Sequence, residues 1–171
     1  TISQLSQAKL FIDDTSGITV PEIRSKCRRL MVETKGLDLV VIDYLTLMGT
    51  SGRSESFQLE VAELSRSLKG LARELNIPII VISQLSRALT KRTDHRPILS
   101  DLRDSGAIEQ DADVVLFIHR EGYYQEKGEE DDGAAEIIVA KQRNGPVGKV
   151  NVHWLPKYTR FMPPLSDREE Y

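Results

Sequence analysis

Two continuous apolar runs separated by one amphipathic stretch are the feature that most limits the fold of this chain. Residues 39–42 read LVVI and residues 77–82 read IPIIVI, and neither run alternates with polar residues. Between them, apolar residues at positions 57, 61, 64, 68, 71 and 75 recur in steps of four and three, which is the spacing of one helix face. Because strands that are apolar throughout are buried on both faces, the pattern predicts βαβ crossovers and an α/β fold with a mainly parallel sheet flanked by helices.

Further elements upstream and downstream extend this α/β pattern. Thr19 and Glu22 form a capping-box pattern, which predicts a helix over residues 20–34. Short apolar runs at residues 10–12 and 114–118 are typical of additional strands. The chain therefore alternates strand and helix along most of its length.

The C-terminal part departs from this alternation. Residues 136–140 and 150–154 flank an Asn-Gly-Pro turn, which predicts an antiparallel hairpin at one edge of the sheet, and residues 158–161 could add a last short strand. We expect residues 1–162 to form one domain and residues 163–171 to form a flexible tail.

Composition excludes several classes of protein. The chain has 171 residues, of which 40% are hydrophobic and 29% are charged, as in ordinary globular domains. No apolar run approaches the ~20 residues that cross a bilayer, so no membrane segment is predicted. The single cysteine, Cys27, cannot form an internal disulfide or a zinc cage. Since the net charge is −3, contact with nucleic acid would need a local basic patch.

Two features predict that the chain is a piece of a longer polypeptide. It begins at Thr1, with no start or signal segment. It also has no G-x-x-x-x-G-K-[ST] loop, which many α/β proteins that hydrolyse nucleotides use to hold the phosphates. The nearest run, at residues 145–150, has the wrong spacing. We therefore expect that the chain alone neither binds ATP tightly nor hydrolyses it.

Polar side chains follow both apolar strands, at the sheet edge where parallel α/β proteins bind ligands. Asp43 directly follows the first run. A carboxylate there can hold Mg²⁺ through water in a Walker B arrangement, or it can simply begin a turn. Gln84 follows the second run; its amide can contact a γ-phosphate or a water, or it can begin an ordinary loop. The two residues by themselves leave both interpretations open.

Two basic segments are candidates for phosphate contact. Residues 87–104 hold five cations and three aspartates without an aromatic residue, which suits a phosphate backbone better than base stacking, although a merely solvated loop is an equal alternative. Backbone amides near Gly106 could bind a phosphate that Arg103 also approaches. Lys141 and Arg143 are two positions apart on an extended segment and should point to one side. The alternative for that pair is a charged hairpin edge that resists aggregation.

Five sequence blocks follow one another in a recognisable order. The blocks are FIDDT at 11–15, LVVIDYL at 39–45, ISQLSR at 82–87, SDLRDSG at 100–106 continued by IEQDAD at 108–113, and AKQRNGP at 140–146. Together they resemble the RecA-like motor domain of the DnaB-type replicative helicases of bacteria and phages. The resemblance covers almost the whole chain, and the domain in that family begins earlier, with the phosphate loop and a strand that carries a glutamate.

This resemblance implies roles at the nucleotide for five residues. Asp43 would hold the Mg²⁺ that accompanies ATP, and Gln84 would sense the γ-phosphate. Lys141 and Arg143 would reach across a subunit boundary to the neighbour's nucleotide, with Arg143 as the arginine finger. Tyr158 would stack on the nucleotide base.

The resemblance also implies a DNA contact and an assembly. Arg87, Arg103, Asp104 and Gly106 would line a central channel and hold single-stranded DNA by its backbone. An active site shared between subunits requires head-to-tail interfaces, which close into a ring, and the family forms homo-hexamers. Primase and a helicase loader are the implied protein partners, and the cytoplasm is the implied location, near the nucleoid or in a phage's host. The implied activity is ATP-dependent unwinding of duplex DNA at the replication fork.

Two other functions remain open from the sequence. A RecA-like recombination ATPase has the same sheet and a similar aspartate and glutamine at the strand ends, and it would form filaments on DNA instead of closed rings. A non-catalytic docking fragment for a helicase loader would explain the missing phosphate loop, and it would bind its partner without nucleotide.

Overall fold

The computed structural model describes residues 7–43, 45, 48, 57–86, 89–90, 92–102, 106–124 and 132–164. The helices are α1 (Val20–Thr34), α2 (Phe57–Leu75) and α3 (Gly106–Asp111). The strands are β1 (Val40–Ile42), β2 (Ile79–Val81), β3 (Val114–Arg120), β4 (Ala134–Gln142), β5 (Gly148–Leu155) and β6 (Arg160–Met162). Single 3₁₀ turns occupy Leu99–Asp101, Glu121–Tyr123 and Pro156–Tyr158.

The predicted βαβ unit is present in the first half of the chain. Strands β1 and β2 pair in parallel, with Val40 opposite Ile79 and Ile42 opposite Val81, and α2 connects them. The apolar stripe of α2 supplies most of the first core, where Leu71 is fully buried. The remaining buried members of this core are Val20, Ile23, Cys27, Leu45, Met48, Val61, Leu64, Leu68, Leu75 and Ile77. The sequence periodicity thus predicted which face of α2 is buried.

Helix α1 begins and ends at the residues that the sequence predicts. The Glu22 carboxylate accepts hydrogen bonds from the Thr19 backbone N–H and hydroxyl, each at 2.8 Å, and these bonds lower the pKa of Glu22. The helix ends at Thr34, and the next residue, Lys35, adopts the left-handed conformation with φ 61°. Because a capping signal involves only neighbouring residues, it can be recognised in the sequence without knowledge of the fold.

The second half of the chain is an antiparallel sheet in the order β3-β4-β5-β6. The predicted hairpin is confirmed as β4 and β5, and the last strand is β6, which pairs with β5. Leu102, Val115 and Phe117 form a second core on one face of this sheet. The α/β class is confirmed, and within the described residues the parallel part comprises β1 and β2 while the antiparallel part has four strands.

One predicted strand is wrong. Residues 10–12 have no regular secondary structure, and their side chains are exposed at 67%, 52% and 86% for Leu10, Phe11 and Ile12. A strand exists only with a hydrogen-bonded neighbour, and none of the described strands pairs with this segment. The outer faces of β1 and β2 are also open, since Val41 and Ile80 are more than half exposed.

Two expectations fall partly outside the structure. Residues 165–171, which make up most of the predicted tail, lie outside the described residues. Among the residues that are described, no helix is long and apolar enough to cross a bilayer.

Candidate functional site

The parallel pairing of β1 and β2 brings Asp43 and Gln84 to the same edge of the sheet. The two strands run side by side. Two backbone hydrogen bonds continue the pairing past the strand ends: the Ile82 N–H donates to the Ile42 carbonyl at 2.9 Å, and the Leu45 N–H donates to the Ile82 carbonyl at 3.0 Å. Asp43 and Gln84 are both exposed. The carboxylate and the amide are therefore both exposed at this edge of the sheet, as the strand order predicts.

Asp43 has the chemistry of a magnesium ligand that acts through water. Mg²⁺ in nucleotide sites keeps several waters and takes one or two carboxylates besides the phosphates, so a single exposed carboxylate at a strand end suits it. The described part of the chain contains no cluster of three or more His, Cys, Asp or Glu side chains that could hold a metal ion.

The segment after Gln84 is joined to the segment that precedes the predicted DNA loop. Leu85 forms an antiparallel bridge with Leu102, and the Ser86 N–H donates to the Asp101 carbonyl at 2.8 Å. Gly106, the first residue of α3, is exposed. The predicted DNA-binding residues Arg87, Arg103 and Asp104 lie outside the described residues.

Lys141 lies at the end of β4 and contacts the C-terminal end of α3. Its ammonium donates to the carbonyl oxygens of Glu109, of Gln110 at 3.3 Å and of Ala112 at 2.7 Å. The last carbonyl groups of a helix lack intrahelical partners and carry partial negative charge. Three carbonyl oxygens thus occupy all the donors of this ammonium.

Arg143 contacts the same end of α3 and keeps part of its guanidinium in solvent. One terminal nitrogen donates to the Gln110 carbonyl at 2.5 Å, and Nε lies 3.4 Å from the Asp113 carboxylate with the arginine side chain 47% exposed. The Asp113 carboxylate also accepts a hydrogen bond from Lys69, and this bond is the main reason that the pKa of Asp113 is lowered. Lys141 and Arg143 therefore point to one side, as their spacing predicts.

Tyr158 lies in the last 3₁₀ turn, just before β6. Its side chain is 65% exposed, and the Lys157 ammonium lies 5.6 Å from the ring centroid. An exposed ring at the edge of the sheet is available for stacking on a flat partner.

A cleft of about 390 Å³ on the β4–β5 hairpin contains none of the predicted site residues. Its polar lining consists of Arg96, Glu136 and Lys149. The Glu136 carboxylate lies 2.9 Å from Arg96 and 2.8 Å from Lys149, and the hydrogen bond from Lys149 is the main cause of its lowered pKa. The charged groups of this cleft therefore pair with one another, away from the predicted site residues.

Two features close to the predicted residues were not recognisable in the sequence. The carbonyl groups at the end of α3 are backbone atoms, so no side-chain pattern marks them as the contacts of Lys141 and Arg143. Asp101 is one of several charges in a loop-like stretch of sequence, and yet it is buried. The only sign of this burial in the sequence is that the apolar residues Leu99 and Leu102 lie on either side of Asp101.

The sequence of the chain matches one protein family over nearly its full length. Residues 1–163 match the family described as DnaB-like helicase C terminal domain. The replicative DNA helicase DnaB of Geobacillus stearothermophilus is 54% identical over 162 residues, and the replicative DNA helicase DnaC of Bacillus subtilis is 52% identical over 162 residues. Each match covers 94% of this chain and 35% of the relative, so the chain spans about a third of the length of these curated relatives.

Solved structures agree with this match. A DnaB-like replicative helicase, whose structure was described together with its interactions with primase, superposes with a TM-score of 0.88 at 40% identity and covers 95% of this chain and 40% of that chain. A second solved structure, an ATPase domain, gives the same TM-score and identity with 57% of its own chain covered. The chain therefore belongs to the DnaB-like helicase C-terminal domain family.

Proposed function

We propose that this chain is part of a ring-shaped, ATP-dependent replicative DNA helicase that moves along single-stranded DNA and unwinds the duplex at the fork. The observation that carries the proposal is the joint position of Asp43 and Gln84 at the carboxyl edge of two parallel strands, in a chain of this family. A RecA-like recombination ATPase, which shares the sheet, is not the family that the chain matches.

Asp43 and Gln84 act on the nucleotide in this proposal. Asp43 holds a Mg²⁺ through water, and the metal supplies charge neutralisation at the phosphates. Gln84 donates or accepts a hydrogen bond at the γ-phosphate or at the water near it. Their exposure and their common edge support these roles.

Arg143 and Lys141 act on the nucleotide of a neighbouring subunit. A planar guanidinium can bind two phosphate oxygens at once, whereas an ammonium acts as a point charge. The half-exposed guanidinium of Arg143 supports its role as the finger. Lys141 has to exchange a carbonyl partner for a phosphate oxygen, since three carbonyl groups already accept from it. Tyr158 is proposed to stack on the base.

Single-stranded DNA, identical subunits, primase and a helicase loader are the proposed partners. Arg87, Arg103, Asp104 and Gly106 are proposed to hold the DNA backbone inside a homo-hexameric ring in the cytoplasm. The structure of the DnaB-like helicase was described with its interactions with primase, which supports the same class of partner for this chain.

The experiment that tests the proposal uses the longest polypeptide that carries this sequence. We expect it to form closed rings, to hydrolyse ATP faster with single-stranded DNA, and to separate a forked duplex. Filaments on DNA without strand separation would contradict the proposal and favour a recombinase. The 171-residue chain alone, which lacks a phosphate loop, should not hydrolyse ATP; if it instead binds a loader as a stable monomer without nucleotide, the docking fragment is the better description.

A further inference from the structure

Asp113 and Arg143 lie opposite each other, just outside the two strands that pair beside the proposed finger. Strands β3 and β4 are antiparallel, with Val114 opposite Gln142. The Arg143 N–H donates to the Asp113 carbonyl at 2.9 Å, so the pairing continues for one residue past the strands. Side chains that lie directly opposite one another in an antiparallel pair share one face of the sheet. The backbone therefore places the Asp113 carboxylate beside the Arg143 guanidinium.

The Asp113 carboxylate contacts this guanidinium at Nε. One carboxylate oxygen lies 3.4 Å from Nε, and a terminal nitrogen of the same guanidinium donates to the Gln110 carbonyl at 2.5 Å. A guanidinium carries five N–H donors in a fixed planar arrangement. A carboxylate at Nε therefore restricts the directions in which the donors on the two terminal nitrogens can point.

The second carboxylate oxygen of Asp113 is held by Lys69 of helix α2. The Lys69 ammonium donates to this oxygen, whereas Arg143 contacts the first one. Only 20% of the Lys69 side chain is exposed, so the carboxylate is anchored from the side of the protein interior. Helix α2 connects β1 and β2, the strands that precede Asp43 and Gln84. Two ion pairs thus join the proposed finger to this βαβ unit.

Stability alone is a poor explanation for the pair of Asp113 and Arg143. Both side chains are about half exposed, and exposed ion pairs contribute little to the free energy of unfolding because water and salt screen them. Such a pair does limit the rotamers of a long side chain, which are otherwise numerous. An arginine that has to meet a phosphate on another subunit benefits from a restricted orientation, because a misplaced group loses much of its effect on the rate.

We propose that Asp113 is the positioning residue of the finger: its carboxylate holds Nε of Arg143 so that the terminal nitrogens are directed to the neighbour's nucleotide. Asp113 does not itself touch the nucleotide, and it acts through Arg143. The proposal rests on the role in the neighbour's site that is proposed above for Arg143. It adds a residue to which no role was assigned from the sequence.

The sign of the effect of Asp113→Asn on ATP hydrolysis tests this proposal. The substitution removes a negative charge beside Arg143 and leaves every cation in place, so charge alone predicts a kcat equal to or above that of the parent. Loss of orientation predicts the opposite, with kcat lower by about tenfold and KM for ATP nearly unchanged. The measurement is steady-state hydrolysis over a range of ATP concentrations, with rings of the longest polypeptide that carries this sequence.

Asp132→Asn is the matched control. Asp132 lies before the opposite end of β4, is exposed, and its carboxylate accepts from the Ala134 N–H at 2.8 Å. The charge change is identical, and we expect kcat to equal that of the parent. If Asp113→Asn hydrolyses ATP as fast as Asp132→Asn does, the positioning role is refuted.

A double variant separates positioning from general damage to the fold or the ring. If Asp113 acts only through Arg143, Asp113→Asn should have no further effect once the guanidinium is gone. Single-turnover hydrolysis by Arg143→Ala and by Asp113→Asn/Arg143→Ala should therefore proceed at the same rate. A further decrease of about tenfold in the double variant would show that Asp113 acts by another route, and it would overturn the proposal.

Failure of the underlying function is visible separately. If Arg143→Ala alone hydrolyses ATP as fast as the parent, the proposed finger is refuted before any variant of Asp113 is compared. If Arg143→Ala is impaired but Asp113→Asn is not, the finger stands and only the positioning role of Asp113 is refuted.

Discussion

The ammonium of Lys141 lies 2.7 Å from the carbonyl oxygen of Ala112, one residue beyond the end of α3. Helix α3 has six residues, which is too short to be stable without tertiary support. The cation on its C-terminal carbonyl groups supplies part of that support, because positive charge is favourable at this end of a helix. Strand β4 and helix α3 are thereby joined by a side chain for which the sequence suggested phosphate contact or a charged hairpin edge.

Replacing Lys141 by Met should loosen α3. The substitution keeps the length of the side chain but removes the charge and the carbonyl contacts, so we expect a loss of about 1–2 kcal/mol of local stability. Hydrogen exchange followed by mass spectrometry should show faster exchange in residues 106–112. Lys149→Met is the control, since Lys149 pairs with Glu136 on the hairpin; equal exchange of α3 in both variants would contradict the capping role.

A trans-acting Arg143 predicts complementation between two inactive proteins. In the proposed ring, Arg143→Ala and Asp43→Asn should each reduce ATP hydrolysis by about a thousandfold. In rings mixed from both, about a quarter of the head-to-tail interfaces combine an intact Asp43 with an intact Arg143, and ATP hydrolysis should return in part. Mixed rings confirmed by mass spectrometry that stay inactive would place Arg143 outside the neighbour's site.

The first core predicts a large effect at Leu71. This side chain is fully buried, so Leu71→Ala should lower the free energy of unfolding by about 3 kcal/mol through lost burial and the cavity left behind. Leu59 lies on the same helix and is 56% exposed, and Leu59→Ala should change stability by less than about 1 kcal/mol. Urea unfolding followed by circular dichroism distinguishes the two, and similar values would refute the assignment of the buried face.

An acidic group with a lowered pKa predicts how the segment before α1 responds to acid. The Lys26 ammonium, 2.5 Å from the Asp13 carboxylate, and the Thr15 side chain and backbone N–H lower the pKa of Asp13 to about 2. Because the folded pKa lies below the unfolded value of about 3.9, the contact stabilises the fold above pH ~4 and is lost as the pH falls toward ~2.

The carboxyl resonance of Asp13, followed by NMR, reports this directly. Lys26→Met should raise the pKa of Asp13 toward its ordinary value, because the strongest hydrogen bond to the charged form is removed. Arg29→Met on the same helix removes a cation that pairs with Glu33 and should leave the titration of Asp13 unchanged. An unaltered pKa in Lys26→Met would show that Lys26 does not hold this carboxylate.

Local signals in the sequence predicted the parts of the fold that depend on neighbours along the chain. The capping box at Thr19 fixed the start of α1, the stripe through Leu64 and Leu71 fixed the buried face of α2, and the Asn-Gly turn fixed the β4–β5 hairpin. Each of these features depends on residues that are close together in the sequence. The order of the apolar strands also predicted that Asp43 and Gln84 share an edge.

Features that depend on distant backbone atoms were not predictable. Residues 10–12 have the apolar composition of a strand, but a strand also needs a partner that its own sequence cannot reveal. The contacts of Lys141 and Arg143 with α3 join segments about 30 residues apart through carbonyl groups, and backbone carbonyls are the same in every residue. The burial of Asp101 was not predictable either, because its charged partner Arg92 lies nine residues away along the chain.

Helix α3 connects two groups of residues for which functions are proposed. Its six residues form a rod about 9 Å long, with Gly106 at one end and the carbonyl groups that hold Arg143 at the other. The Lys141 ammonium and the Arg143 guanidinium both bind carbonyl groups at this end of the helix, so the end of β4 and the residue after it hold the end that lies opposite Gly106. The two cations that are proposed to reach a neighbour's nucleotide are therefore attached to the same short helix whose first residue is proposed to contact DNA.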